Sequence, residues 1–303
     1  MHHPRLLPTL LLLALPTHAA LAQLVPEGAS AQRVATGYRF TEGPAVGPDG
    51  AIYFTDIPNQ RILRFDPATK ETTTYRENSG RANGLMFDPE GRLLACEGAD
   101  DGGGRRLSRT EPDGSITILA DQWRGKKLNS PNDLVIDRDG GVYFTDPRYG
   151  NRADMQMDIE AVFYLSPDGT LTRVIHDLQR PNGLILAPDG KTLYVSDEAA
   201  KKILAYDVAA PGQLKNPRRF SGMGPDLGGG CDGMTLDSRG RVYAAGDEGI
   251  YIFNPDGTQA GLVPVPERPS NCTFARDGQT LYITARSSLY RIKLNTAVDS
   301  QEK

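Results

Sequence analysis

Histidine is almost missing from this sequence. Of the four in 303 residues, His2, His3 and His18 fall within the first 22, and only His176 lies beyond them. One histidine cannot build a His-rich zinc or iron centre. A Ser-His-Asp triad would have to use His176, but "RVIHDLQRP" reads as an outer strand running into a loop, which argues against it. Cysteine is also scarce. Cys96, Cys231 and Cys272 are the whole set, their spacings match no zinc motif, and an odd number allows at most one internal disulfide. Long stretches with apolar residues at helical spacing are hard to find. Together with 33 glycines and 22 prolines this points to many turns and an all-β fold.

Beyond the first residues, no stretch is long and apolar enough to cross a bilayer. At the start, Arg5 precedes the short apolar run "LLPTLLLLALP", and Ala20-Leu21-Ala22 offers a small-x-small cleavage pattern before Gln23. This layout reads as a secretory signal over residues 1–22, with 23–303 as a single catalytic domain that is periplasmic or secreted. No Arg-Arg pair precedes the run, so the general secretion route fits better than twin-arginine export. Loss of Arg5 from 34 basic residues leaves 33 against 38 acidic ones, or −5. That balance offers no general attraction to nucleic acid or to a membrane. The one basic cluster, "RGKKL" (Arg124 to Leu128), reads as a solvated loop.

What the sequence does have is a repeat. "EGPAVGPDGAIYFTD" (Glu42 to Asp56) aligns with "NDLVIDRDGGVYFTD" (Asn132 to Asp146). Further copies begin at Asn83, Asn182, Asp232 and Ser270, each an apolar run, a turn ending in glycine and a second apolar run. Third strands follow in most copies, such as "RILRFD", "AVFYLS" and "KILAYD", and outer strands fit "TTTYR", "SITILA", "TLTRVI" and "QAGLVPV". Six copies of about four strands, at a period near 40 to 50 residues, predict a six-bladed β-propeller with four-stranded blades. The last copy supplies only three strands, and "QRVATGYRF" (Gln32 to Phe40) is the candidate for the missing outer one, closing the ring.

Eight residues before the turn glycines Gly50, Gly91, Gly140, Gly190, Gly240 and Gly278 stand Glu42, Asn83, Asn132, Asn182, Asp232 and Ser270. Every one carries a side-chain oxygen. The first strand of a blade lines the central channel, so equivalent positions form a ring around one axis. Burying two carboxylates beside several amides is costly unless something pairs with them, and a cation does so. An all-oxygen donor set suits Ca²⁺ best, with Mg²⁺, Mn²⁺ or Zn²⁺ as alternatives.

"FTEGPAV", "LNSPNDLVI", "YFTDPRYG", "RPNGLILAPDGKTLYVSD" and "CDGMTLD" resemble the gluconolactonase/regucalcin-like family of six-bladed propellers, across about Phe40 to Leu294. The resemblance implies a divalent metal in the channel and hydrolysis of small-molecule lactones. By motif, Glu42, Asn182 and Asp232 resemble the metal ligands, and Asn132 matches a fourth channel residue that contacts metal or substrate. In several family members a polar or acidic residue follows the ligand aspartate; here Gly233 does, which leaves the base open.

With no histidine at hand, a carboxylate must serve as base, and Asp232 is the candidate, with direct attack by Asp232 as a variant. Asn129, Ser130, Arg148 and Tyr149 are candidate pocket residues beside Asn132, because a hydroxyl-rich substrate needs donors and acceptors. Asp56, Asp146 and Asp197 share a repeat position and are expected to hydrogen-bond turns or neighbouring blades. Cys231 and Cys272 are expected near the channel on adjacent blades, where an oxidising compartment would allow a disulfide. Alternative readings are organophosphate or aryl-ester hydrolysis at the same site, a non-catalytic calcium-stabilised binding propeller, and a quinone-dependent dehydrogenase, which the placement of His176 disfavours.

Overall fold

A computed structural model describes residues 24–222 and 230–296. The proposed signal over 1–22 lies outside the described residues. Six four-stranded antiparallel sheets follow one another around a ring, making a six-bladed β-propeller. The innermost strands, in blade order, are Thr41–Val46, Ala82–Phe87, Leu134–Ile136, Pro181–Leu186, Met234–Leu236 and Pro269–Phe274. These six touch their neighbours in a closed cycle around the axis. In blade six the outermost strand is Gln32–Thr36, which pairs antiparallel with Ser288–Lys293 through Gln32↔Arg291 and Thr36↔Ser288. The ring is therefore closed by a strand from the other end of the described chain, as the incomplete last repeat predicts.

The periodicity explains the sheets. Second strands such as Ile52–Asp56, Leu93–Glu97 and Val142–Asp146 are buried along their whole length, because each has a blade on both faces. They therefore read as continuous rather than alternating apolar runs. Outer strands such as Thr72–Arg76 are mostly exposed and short, which limits the free edge. Between first and second strands the turn glycines all adopt left-handed φ, from 64° at Gly278 to 85° at Gly140. The aspartate before the glycine caps the turn in several blades, as where Asp49 accepts from the Ala51 amide at 3.1 Å.

The core is not central. It consists of six apolar layers, each between two neighbouring blades. Tyr53 and Ile62 of blade one meet Leu85 and Leu93 of blade two, and Tyr143 and Val162 of blade three meet Leu184 and Val195 of blade four. The sixth layer joins Phe54 of blade one to Tyr282 and Leu289 of blade six. Because hydrophobic burial is satisfied between the blades, the axis is left available for polar groups.

Inner strands approach so closely that side chains are excluded at some positions. A Cβ on Gly43, which sits at φ 49°, would lie 1.9 Å from the Asn83 carbonyl oxygen of the next blade. Gly50 has a comparable φ of 79° but open space around it. Gly43→Ala is therefore expected to cost about 2–4 kcal/mol and Gly50→Ala only about 1 kcal/mol, read from urea unfolding midpoints. Equal losses would show that the blade-to-blade contact is not tight.

Candidate active site

Three of the inner strands begin with a segment that is held in place by a carboxylate. Asp56 accepts from the backbone N–H groups of Arg39 and Phe40, at 3.0 and 3.3 Å. Asp146 accepts from those of Asn129 and Ser130, at 2.8 and 2.7 Å. Asp197 accepts from those of Gln179 and Arg180, at 3.1 and 3.0 Å. All three carboxylates end a second strand, and each fixes the chain two to three residues before Glu42, Asn132 or Asn182. They act as turn anchors, the role their shared repeat position suggests.

The side chains so positioned meet in one cavity of about 360 Å³ at the mouth of the channel. Glu42, Asn83, Asn132, Asn182, Asp232 and Ser270 all line it. Glu42, Asn132 and Asn182 are buried. The Asn182 amide nitrogen donates to the Tyr149 hydroxyl at 2.7 Å, which fixes the orientation of the carboxamide. Ser270 is turned aside, its hydroxyl 2.8 Å from the Thr41 carbonyl, stapling blade six to blade one.

One residue further along the inner strands lies a second level. There Asp133 and Asn271 reach toward each other across the axis from blades three and six, with the Asn271 amide 3.5 Å from the Asp133 carboxylate. Glycines leave room for them: a Cβ on Gly233 would lie 2.0 Å from the Asn271 side-chain carbon. The glycine after Asp232 is thus a packing requirement.

The electrostatics are severe. Burial pushes the Glu42 carboxyl well above its usual range, and the Asp232 and Asp133 charges push it further, against hydrogen bonds from the Gly43 amide at 2.8 Å and from the Asn271 side chain. Burial raises Asp232 to about 7, opposed by Arg268 and Asn182. Asp133 is raised to about 7, also by burial. The Tyr149 hydroxyl is raised by burial and by the Asp232 and Glu198 charges. Among the described residues none of Glu42, Asp133 and Asp232 forms an ion pair, and no group of three or more His, Cys, Asp or Glu gathers as a metal cluster. Buried Glu42 and half-buried Asp232, with carboxamides around them and no ion pair among the described residues, are a donor set that fits a hard divalent cation.

Two expected pocket residues are elsewhere. Asn129 is buried and does not line the cavity; its amide donates to the carbonyls of Asp146 and Ile159, at 3.2 and 2.9 Å. Arg148 is also buried away from the cavity, bonded to the Asn129 carbonyl at 2.9 Å and to Asp154. Both hold the blade-three loop together. Ser130 and Tyr149 do line the cavity. Cys231 and Cys272 are buried and free, each with its sulfur 3.6 Å from a backbone carbonyl oxygen. Sequence reasoning missed Phe40, Arg81, Glu198, Arg268 and Arg286 in the lining. Phe40, Arg81 and Arg268 each stand two residues before a ring position, which is the signal that could have found them.

Residues 40–287 match the model of the SMP-30/gluconolactonase/LRE-like region. The chain belongs to this family. A family member, the gluconolactonase of Zymomonas mobilis, is 34% identical over 87% of this chain and 81% of its own. The solved gluconolactonase of Xanthomonas campestris is 33% identical and superposes with a TM-score of 0.84 over 92% of this chain and 93% of that one. The diisopropyl-fluorophosphatase of Loligo vulgaris is 28% identical over 80% of this chain and 84% of its own.

With cation removed, Glu42→Gln replaces a charge the fold resists with a neutral group. A raised carboxyl costs stability above its unfolded value near 4.5. The chelated variant is therefore expected to exceed the chelated wild type by about 1–3 kcal/mol at about pH 8, with the difference fading toward about pH 4. Thermal melts in chelator at both pH values decide this, and a less stable variant at the higher pH would contradict it.

Proposed function

We propose that this protein hydrolyses lactones, in particular sugar lactones such as glucono-1,5-lactone, using a divalent cation held by Glu42, Asn132, Asn182 and Asp232. The observation that carries the reading is that buried Glu42 and half-buried Asp232 share one carboxamide-lined cavity, and neither forms an ion pair among the described residues. Its kinship with gluconolactonases gives the substrate class. Ca²⁺ suits the oxygen donors best, ahead of Mg²⁺ and Mn²⁺, and Zn²⁺ least, since no histidine or thiol faces the cavity. When bound, the cation would polarise the ester carbonyl and stabilise the negative charge that develops on its oxygen.

The chain's own residues supply the rest. Asp232 accepts a proton from the attacking water as the new C–O bond forms. It then returns that proton to the ring oxygen as the old C–O bond breaks, giving the open hydroxy acid. Asn132 positions the substrate or the water, and Tyr149 keeps the Asn182 carboxamide in its orientation. Ser130 is placed to bind a substrate hydroxyl. The layout of residues 1–22 puts this chemistry in the periplasm or outside the cell. A second reading, phosphoester or organophosphate hydrolysis at the same cavity, is favoured by the Loligo relative.

The test is a pH-stat assay on glucono-1,5-lactone, corrected for spontaneous opening. Chelation and Asp232→Ala are each expected to lower the rate by about 100-fold or more. Full activity in Asp232→Ala would remove the assigned base. Activity that survives thorough chelation would remove the cation, and activity on diisopropyl fluorophosphate alone would favour the second reading.

A further inference from the structure

Above the carboxylate floor the cavity wall changes character. Alternation along a strand places residues two apart on the same side. Two residues before the six ring positions stand Phe40, Arg81, Ser130, Arg180, Gly230 and Arg268. Arg81 and Arg268 line the cavity itself, while Arg180 lies over the Tyr149 ring at 5.1 Å. A further guanidinium joins them. Pro269 pairs with Ala285 in blade six, so Arg268 and Arg286 leave the sheet opposite one another, and both line the cavity.

Arg180 is paired with Glu198 at 3.4 Å, but the other three arginines are held loosely or not at all. Arg286 is rooted by its carbonyl, which accepts from the Thr41 amide at 2.7 Å, yet among the described residues its guanidinium has no ion pair or hydrogen bond. Arg268 pairs with Asp247 at 2.7 Å, with both side chains about two-fifths exposed, and exposed pairs are held weakly. Arg81 approaches Asp100 only to 3.9 Å. A guanidinium donates hydrogen bonds and accepts none, whereas a sugar hydroxyl does both. Asp100 and Glu198 also line the cavity and face Arg81 and Arg180, so the donors left without an acid in the lining are Arg286 and Arg268. A pair of guanidinium groups is complementary to a group of acceptors alone, a carboxylate or a phosphate.

Resting on the lactonase reading, we infer that the preferred substrate is a lactone bearing a second, anionic group remote from the ester, held by Arg286 and Arg268 at the cavity mouth. The cation in the floor engages the ester end. The arginines engage the far end, and the fixed span between them sets which lactones are bound productively.

The experiment compares kcat/KM of the calcium-loaded protein on glucaro-1,4-lactone, which carries a carboxylate, and 6-phosphoglucono-1,5-lactone, which carries a phosphate. The references are neutral glucono-lactones of the same ring sizes. At least one acidic lactone is expected to be preferred by roughly tenfold or more, and which one identifies the anion. Arg286→Gln should collapse that ratio mainly through KM, Arg286→Lys should keep part of it, and raised salt should lower it. Equal kcat/KM on acidic and neutral lactones, or a ratio untouched by Arg286→Gln, overturns the inference while leaving the lactonase reading in place. Absence of hydrolysis on every lactone overturns both.

Discussion

Two carboxylates that repel each other in one cavity at the mouth of the channel are the constraint on which the rest of this molecule depends. Glu42 and Asp232 come from blades one and five, and burial drives both toward the neutral form. A fold that had to satisfy its core at the same place could not tolerate them. The propeller avoids the conflict by putting its apolar contacts between blades, in six separate layers, so that the axis is free of hydrophobic packing. Under the proposed function, the strain between the charges becomes affinity for a cation instead of a simple loss of stability.

Around that pair the structure is organised in tiers. Asp56, Asp146 and Asp197 hold the approaches to three of the inner strands by accepting from two successive amides each. The donor ring follows, and beyond it Asp133 and Asn271 meet across the axis where Gly233 leaves space. Arg81, Arg268 and Arg286 line the same cavity. Each tier repeats one position of the blade motif, so one local geometry, copied six times and varied in side chain, builds the whole site.

Much of this was legible in the sequence because a propeller repeats its local rules. The turn glycines gave the register, and counting back from them reached all six ring positions in the cavity. Asn129 and Arg148 misled because proximity in sequence to Asn132 does not say which way a loop side chain turns. Asn129 turns inward to the carbonyls of Asp146 and Ile159, and Arg148 ties the loop to Asp154. The polar pair Asn132-Asp133 stands out at the start of its strand, but the sequence assigns Asp133 no role of its own. Its importance comes from Asn271, 138 residues away. The cysteines lie where the repeat puts them, but each thiol turns to a carbonyl rather than to the other.

The joint in blade six has a consequence for how the molecule comes into being. Thr36 meets Ser288 across 252 residues of chain, so the first described strand has no partner until that whole intervening stretch has been synthesised. Such distant pairing is slow to form. Until it does, the apolar layer between blades six and one stays incomplete, and the ring of donors lacks its lock. Assembly of the cavity is thereby tied to completion of the circle, and a nascent or partly threaded chain has no finished site to expose.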